Sequence, residues 1–424
     1  MTPKPHGPEE PADVLFRDAR VYTVDEGRPR TEAVAIRGER IVWTGASTDA
    51  DAHIGADTEI VEAGGRMVLP GFIDSHNHVR LGSNPYEVDL KGATTLEELK
   101  GRVRTHADGH PEQTWIEGAG WNYSAMPGTL PTWRDLEGVA NGRPAFLFSY
   151  DVHNVWMNRE AMTAFGITRD TDVLPFGHVQ KDEGGEPTGF ITDFAVMGIS
   201  RAGQAALEGI VPGYARELQY TRTLESLDMA IGFGITTVVE PQNSPEDLWI
   251  FERAREEGRL RSRLIAAIFH PVGTTEAERR QFEAARERLN DDRLRVAPIK
   301  LYIDDVIETW TAAFFEPYAN RPGERGDTFW EPAEFAELLI DLERRGFQCH
   351  IHSMGDRGIR TVLDAIEAAR RANGPGDRRH MMIHTECPSE QDIARFAELG
   401  VIPGMQPRHA APDICAGWRL NVGP

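Results

Sequence analysis

Short apolar runs separated by turn residues occupy the first part of the chain. β-Branched and aromatic residues gather at residues 14–23, 33–37 and 40–44, with glycine-containing turns between the runs. Runs of this composition between turn residues are typical of β-strands. We therefore predict a small β-sandwich-like domain over residues 13–70, preceded by a loose N-terminal tail over residues 1–12.

From residue 71 onward, apolar runs alternate with amphipathic helical patterns. The seven predicted strands cover residues 71–78, 234–240, 263–269, 296–303, 348–352, 381–385 and 400–406. Thr275 and Glu278 have the spacing of a capping box, and Ser389 precedes Asp392 in the same way. The alternation predicts an α/β fold in which crossover helices connect parallel strands, so that residues 71–424 form one large domain.

Residues 85–212 interrupt this pattern. The stretch is too long for one crossover and carries a strand-like run of its own at residues 144–150. We predict an insertion after the first strand of the large domain, at about residues 85–212, that roofs the active site. Its large aromatic residues either line a pocket or form the core of the insertion: Trp121, Tyr123, Trp156 and Phe194.

The composition is that of a protein with a large buried core. Of the 424 residues 40% are hydrophobic, and no apolar run approaches the length of roughly eighteen residues that a membrane span needs. The N-terminus is rich in proline and charge and lacks the apolar stretch of a secretory signal. A soluble protein without a membrane partner is expected.

Charge and cysteine content limit the kinds of partner and the cellular compartment that we expect for this protein. The net charge of −21 argues against nucleic acid as a partner. The three cysteines match neither a zinc ribbon nor a redox pair, and their odd number argues against a disulfide framework. We expect a cytoplasmic protein that acts on a small molecule. The sequence leaves the oligomeric state open, a homo-oligomer included.

Histidines stand at the ends of several predicted strands. His76 and His78 close the first strand, where residues two apart share a face and can reach one metal ion. The alternative is a pair of surface histidines in a loop. His352 and His384 end two later strands, which favours metal ligands over structural histidines. His350 shares a face with His352, so it stays a candidate ligand.

Lys300 lies inside an apolar strand, where an unpaired lysine is costly. One interpretation is a salt bridge to Asp304, Asp305 or Glu240. The other is a carbamylated lysine whose carboxylate bridges two metal ions.

Several segments together resemble a known family. They are residues 33–42, 70–78, 151–158, 299–305, 350–357, 383–388 and 405–407. On these motifs the chain is similar to the amidohydrolase superfamily, and within it to amidohydrolase family 3, the group of YtcJ-like proteins and N-substituted formamide deformylase. The resemblance implies a TIM-type (β/α) barrel of the metallo-dependent hydrolase kind, here with seven of eight strands.

The resemblance also implies a ligand set. His76 and His78 would hold the more buried metal, Lys300 as a carbamate would bridge, and His352 and His384 would hold the second. Lys300, His352 and His384 would thereby be catalytic. The expected cofactor is a divalent metal, zinc by default, as one or two ions. His153 matches a family histidine near the substrate, with an ordinary loop histidine as the alternative.

The sequence departs from the family at its end. Family members carry a Ser-Asp motif on an eighth strand, whose aspartate binds metal and acts as general base. Nothing after Gln406 supplies it, and Asp413 follows the seventh strand too soon, in a loop-like, proline-flanked context. We expect an incomplete barrel. Three explanations stay open: the gene product is incomplete, the chain was truncated artificially, or another chain supplies the missing part.

The resulting prediction is a metal-dependent amidohydrolase that cleaves a C–N bond other than a peptide bond in a small molecule. An esterase, a lactonase or a deaminase would use the same metal centre. The alternative from a different functional class is a catalytically impaired fragment or pseudoenzyme that binds ligand or metal. The missing aspartate supports this alternative. The substrate and the number of metal ions stay open.

Overall fold

The computed structural model describes residues 11–81, 87–127, 129–198 and 200–423. It divides the chain into two compact units, the first ending at Phe72 and the second beginning at Ile73. Within these described ranges, no helix is long and apolar enough to cross a membrane.

The first unit consists of two small β-sheets. Its strands are β1 (Val14–Arg17), β2 (Arg20–Tyr22), β3 (Arg30–Thr31), β4 (Ala33–Arg37), β5 (Arg40–Gly45), β6 (Glu59–Glu62) and β7 (Met67–Val68). One sheet has the order β5-β4-β1-β6 and the other β3-β2-β7. The β-sheet character predicted for this part is confirmed. Of the predicted tail, residues 1–10 lie outside the described residues, and Ala12 is buried and donates its N–H to the carbonyl of His53 at 2.9 Å.

The second unit starts its main sheet with one short strand and then enters an insertion. These elements are β8 (Phe72–Asp74), β9 (Val88–Asp89), α1 (Leu96–Gly109), β10 (Ile116–Trp121), β11 (Ala145–Ser149), β12 (Val155–Met157), α2 (Arg159–Ala164), β13 (Val173–Leu174), β14 (Gly177–Lys181), β15 (Pro187–Thr192), α3 (Phe194–Met197) and α4 (Arg201–Glu208). Strands β9 to β15 form their own seven-stranded sheet, in the order β13-β14-β15-β12-β11-β10-β9. Trp121, Tyr123 and Trp156 belong to its hydrophobic core.

The main sheet then continues strand by strand. The elements are α5 (Arg216–Gly232), β16 (Ile235–Asn243), α6 (Trp249–Glu256), β17 (Arg263–Phe269), α7 (Glu276–Arg288), β18 (Leu294–Tyr302), α8 (Pro332–Arg344), β19 (Gln348–Ser353), α9 (Asp356–Asn373), β20 (Met381–His384), α10 (Glu390–Leu399), β21 (Ile402–Gly404) and α11 (Pro412–Val422). The sheet order β8-β16-β17-β18-β19-β20-β21 follows the chain order, and β16 to β21 pair in parallel. The predicted TIM-type arrangement with seven strands is confirmed.

Short 3-10 helices connect several of these elements. They span Ser47–His53, Val79–Leu81, Tyr123–Ala125, Trp133–Leu136, Pro212–Tyr214, Ile307–Thr309 and Pro407–Ala410.

Local sequence signals explain where the helices begin and end. The Thr275 hydroxyl accepts from the Glu278 N–H at 3.3 Å, and the Glu278 carboxylate accepts from the Thr275 N–H at 2.7 Å, so the predicted capping box opens α7. Gly400 ends α10 with a φ of 69°, which a residue without a Cβ adopts at no steric cost. The loop predicted around Asp413 is wrong, because Pro412 lies in the first turn of α11, where proline needs no N–H.

Candidate active site

The carboxyl ends of the main-sheet strands surround a cavity of about 200 Å³. Six histidines line it: His76, His78, His153, His352, His384 and His409. Its other walls include aromatic and apolar side chains, among them Phe194, Tyr302, Met354 and Trp418. The active sites of parallel α/β barrels lie on this face, so the fold brings the five predicted histidines to the expected edge, whereas Lys300 is not among the residues that line the cavity.

His76 and His78 reach the cavity by a different route from the one predicted. Strand β8 ends at Asp74, and both histidines follow it in a turn. The Asp74 carboxylate accepts from the N–H of His76 at 3.2 Å and from the amide of Asn77 at 2.9 Å, which ends the strand. The two imidazole centroids still lie 5.2 Å apart. The expectation that strand geometry aligns them is therefore wrong, because a side-chain-capped turn does so.

His352 and His384 lie side by side at the ends of β19 and β20. Their ring centroids are 4.5 Å apart, and His384 is 5.4 Å from His76. Nε2 of His352 donates to the main-chain carbonyl of Asp305 at 3.2 Å, and Nδ1 of His384 donates to the side-chain carbonyl of Gln406 at 2.8 Å. Each imidazole thus uses one nitrogen within the protein and keeps the other for a ligand, as metal-binding histidines do.

Burial keeps these imidazoles uncharged. It is the largest cause that lowers the pKa of His76, His352 and His384 well below 6.5 and that of His78 to about 3. The positive charge of Lys300 lowers all four further. A neutral imidazole is the form that binds a metal ion.

Two buried ring nitrogens in this group have no hydrogen-bond partner among the described residues. They are Nδ1 of His76 and Nδ1 of His352. A buried polar atom without a partner is costly, and a coordinated cation would satisfy both atoms. These residues therefore fit a divalent metal.

Lys300 is buried in β18, and no ion pair is seen for it among the described residues. Its Nζ lies 4.4 Å from the ring centroid of Tyr302, and burial lowers its pKa to about 7. Within the described part of the chain it forms no ion pair with Asp304, Asp305 or Glu240. The salt-bridge interpretation is therefore wrong.

The three carboxylates have other partners. Asp304 accepts from the main-chain N–H groups of Ala313, Met354 and Gly355 at 2.9 to 3.0 Å. Asp305 bonds His153, and Glu240 accepts from the N–H of Arg80 at 3.3 Å. These acceptors are satisfied without the lysine, so Lys300 stays free of them.

His350 and His352 occupy different layers of the sheet. His350 pairs in register with Lys300, whereas His352 pairs with Tyr302 one layer closer to the strand ends. His352 lines the cavity, while His350 is buried deeper, where burial lowers its pKa to about 3. The structure thus separates two residues that the sequence left equivalent.

His153 reaches the cavity from the insertion. Its Nδ1 donates to the carboxylate of Asp305, and its ring lies 5.4 Å from that of His352. Although burial opposes its protonation, the charge of Asp305 and their hydrogen bond raise the pKa of His153. The bond leaves Nε2 as the ring nitrogen available to a substrate.

The structure gives three residues roles at this site that the sequence did not predict for them. Gln406 orients His384, Asp305 contacts two histidines, and Glu386 accepts from Nδ1 of His409 at 2.6 Å. Gln406 and Glu386 lie in segments that resemble the family, residues 405–407 and 383–388, and this was their only signal in the sequence. Such partners come from different strands, so no local spacing marks them.

Comparison with known proteins gives a consistent result. The model of the Amidohydrolase family matches residues 59–421. The chain is 27% identical to the putative amidohydrolase YtcJ of Bacillus subtilis (strain 168), over 94% of this chain and 74% of that protein. It is 25% identical to the N-substituted formamide deformylase of Arthrobacter pascens, over 96% of this chain and 74% of that protein.

The fold has counterparts among solved structures. An uncharacterized metal-dependent hydrolase from Pyrococcus furiosus is similar with a TM-score of 0.67 at 23% identity. The similarity covers 97% of this chain and 80% of that one.

Proposed function

The chain belongs to the amidohydrolase family, as its motifs predicted, and on this premise we propose that it hydrolyses a C–N bond other than a peptide bond in a small molecule. Family membership supports metal-dependent hydrolysis in general. The similarity to a formamide deformylase supports the choice of a C–N bond. The observation that carries the proposal is the set of uncharged imidazoles around one cavity, of which those of His352 and His384 are buried.

His76, His78, His352 and His384 would hold the metal. Zinc suits a nitrogen-rich ligand set with an open position. Such an ion, when bound, activates water at neutral pH and polarises the scissile carbonyl. The imidazoles stay uncharged because the protein buries them, so they need no deprotonation before they bind.

Lys300 is suited to the carbamate proposed for it. A buried amine with a pKa of about 7 is partly uncharged at neutral pH, and the uncharged amine is the form that adds carbon dioxide. The product is a carboxylate with release of one proton. Its negative charge would join a site whose other candidate ligands are neutral, which favours a dication there.

The remaining cavity residues would bind and orient the substrate. His153 can present Nε2 to the reacting amide because Asp305 holds its Nδ1. Phe194, Met354 and Trp418 provide apolar walls that exclude water from the substrate.

The three cysteines are free, which supports a reducing compartment such as the cytoplasm.

The test combines metal analysis with a substrate panel. We expect the wild-type protein to contain a divalent metal and to hydrolyse members of a panel of N-substituted formamides and small amides. The variant His76→Ala should lose both metal and turnover, whereas His110→Ala, at an exposed position, should lose neither. Unchanged metal stoichiometry in His76→Ala would refute the proposed ligand set.

The panel also separates the alternatives. It includes esters, lactones and amino-heterocycles of matched size. Turnover confined to these compounds would contradict a C–N amide substrate. A wild-type protein that binds metal but turns over no compound would indicate a binding protein.

A further inference from the structure

Glu386 and His409 form a pair beside the proposed metal ligands. Glu386 follows the last residue of β20 by two positions, and His409 lies in the 3-10 turn after β21. Because β20 and β21 are adjacent parallel strands, their carboxyl ends bring the two side chains together. Nδ1 of His409 and Oε1 of Glu386 are 2.6 Å apart.

His384 completes the group. Its ring stacks on that of His409, with centroids 5.1 Å apart and planes 17° from parallel. One donor atom of each of His384, Glu386 and His409 lies within 4.8 Å of the others. Ligand atoms around a tetrahedral zinc ion are about 3.3 Å apart, given metal–ligand distances of about 2.0 to 2.1 Å. Shortening the separations between these atoms by up to about 1.5 Å would therefore bring all three onto one ion.

We propose that Glu386 and His409 join His384 in binding one divalent cation at the cavity, and that this ion is the one that His384 holds in the proposed function. The inference rests on the proposed function for the role of His384 as a metal ligand. Two imidazole nitrogens and one carboxylate oxygen, with an open fourth position, are a donor set typical of zinc in hydrolases.

Charge and orientation support this site. Glu386 brings a carboxylate to the group, and its side chain is only 10% exposed. Gln406 accepts from Nδ1 of His384 at 2.8 Å, so Nε2 of that ring is left for the ion. His409 is held edge-on against Trp418, with centroids 6.1 Å apart, which limits its rotation.

The simpler explanation is an ion pair between His409 and Glu386 that binds nothing. A matched pair elsewhere in the chain provides the control. Nδ1 of His178 lies 2.8 Å from a carboxylate oxygen of Asp193, outside the cavity formed at the strand ends. If His409 and Glu386 form only an ion pair, replacing His409 should change the metal affinity no more than replacing His178 does.

The experiment titrates the metal-depleted protein with Co²⁺ and follows the visible absorption of the ion, with stoichiometry from elemental analysis. We expect Glu386→Gln and His409→Gln each to lower the affinity for one ion at least about tenfold. Removing a hydrogen-bond partner of a metal ligand typically lowers metal affinity by that factor or more, and removing a ligand should cost no less. His178→Gln should bind Co²⁺ as the wild-type protein does. Thermal unfolding checks that each variant is folded.

Two results would overturn the inference. One is wild-type affinity, stoichiometry and Co²⁺ spectrum in both Glu386→Gln and His409→Gln. The other is an equal loss in His178→Gln. If the wild-type protein binds Co²⁺ through these residues but hydrolyses no amide, the proposed function fails and the site stands. If it hydrolyses amides while both variants keep full metal binding, only the site fails.

Discussion

The imidazole of His153 donates its Nδ1 proton to the carboxylate of Asp305, and both side chains are buried. The two residues are 152 positions apart, one in the insertion and the other just after β18. The hydrogen bond fixes the tautomer of the ring, so that Nε2 is the nitrogen available in the cavity. Asp305 is therefore a positioning residue for His153.

We expect Asp305→Asn to lower kcat about 100-fold, the lower range of what one positioned acid–base group contributes. The amide can offer an N–H to Nδ1, which would turn His153 into the other tautomer. Metal content should not change, because the main-chain carbonyl of Asp305, which holds His352 at 3.2 Å, remains in the variant. Steady-state kinetics and elemental analysis measure both effects.

A double-mutant cycle shows whether Asp305 acts through His153. In a His153→Gln background, Asp305→Asn should have little further effect on kcat, since the group it orients is gone. Additive losses would mean that Asp305 supports the fold in general.

The capping box of α7 allows a test of local stability. Thr275→Ala removes the hydroxyl that accepts from Glu278 and should lower the free energy of unfolding by about 1 kcal/mol. Thr221→Ala is the control, because this threonine is exposed within α5 and caps nothing. Its unfolding free energy should change by less than about 0.5 kcal/mol. Urea denaturation at pH 7 distinguishes the two variants.

His270 should make the protein less stable in acid. Burial, followed by the charge of Arg279, lowers the pKa of His270 from 6.5 to about 4. Since this folded-state pKa lies below the unfolded value, the unfolded chain binds more protons between pH 6.5 and 4. The stability linked to His270 is present above pH 6.5 and is lost as the pH falls through this window, by up to about 3 kcal/mol.

The variant His270→Phe isolates this contribution. Its unfolding free energy should fall less between pH 7 and pH 4.5 than that of the wild-type protein. His110→Phe, at an exposed position, should follow the wild-type curve. Parallel curves for wild type and His270→Phe would show that His270 is not kept uncharged by burial.

Much of the site could be predicted because buried parallel strands are recognisable in the sequence as apolar runs. Apolar runs located β17 and β19 to within a residue. Because the carboxyl ends of such strands meet at one edge of the sheet, His352 and His384 could be placed together before any distance was known. Lys300 was conspicuous because a charged residue interrupts an apolar strand.

Other contacts could not be predicted, since they join side chains that no periodicity relates. Gln406 and His384 are 22 positions apart, and Glu386 and His409 are 23 apart. The apolar pattern also did not predict the turn at Asp74, because a single carboxylate ends β8 and redirects the two histidines that follow.

The sequence by itself determined the α/β architecture, the family and the order of the candidate ligands along the chain. These follow from hydrophobic periodicity and from residue types that are costly to bury. Only the tertiary structure decided that His352 and not His350 faces the cavity, that Asp305 holds His153, and that Glu386 and His409 join His384. Such pairings depend on strand register and on turns between distant segments, which local composition does not encode.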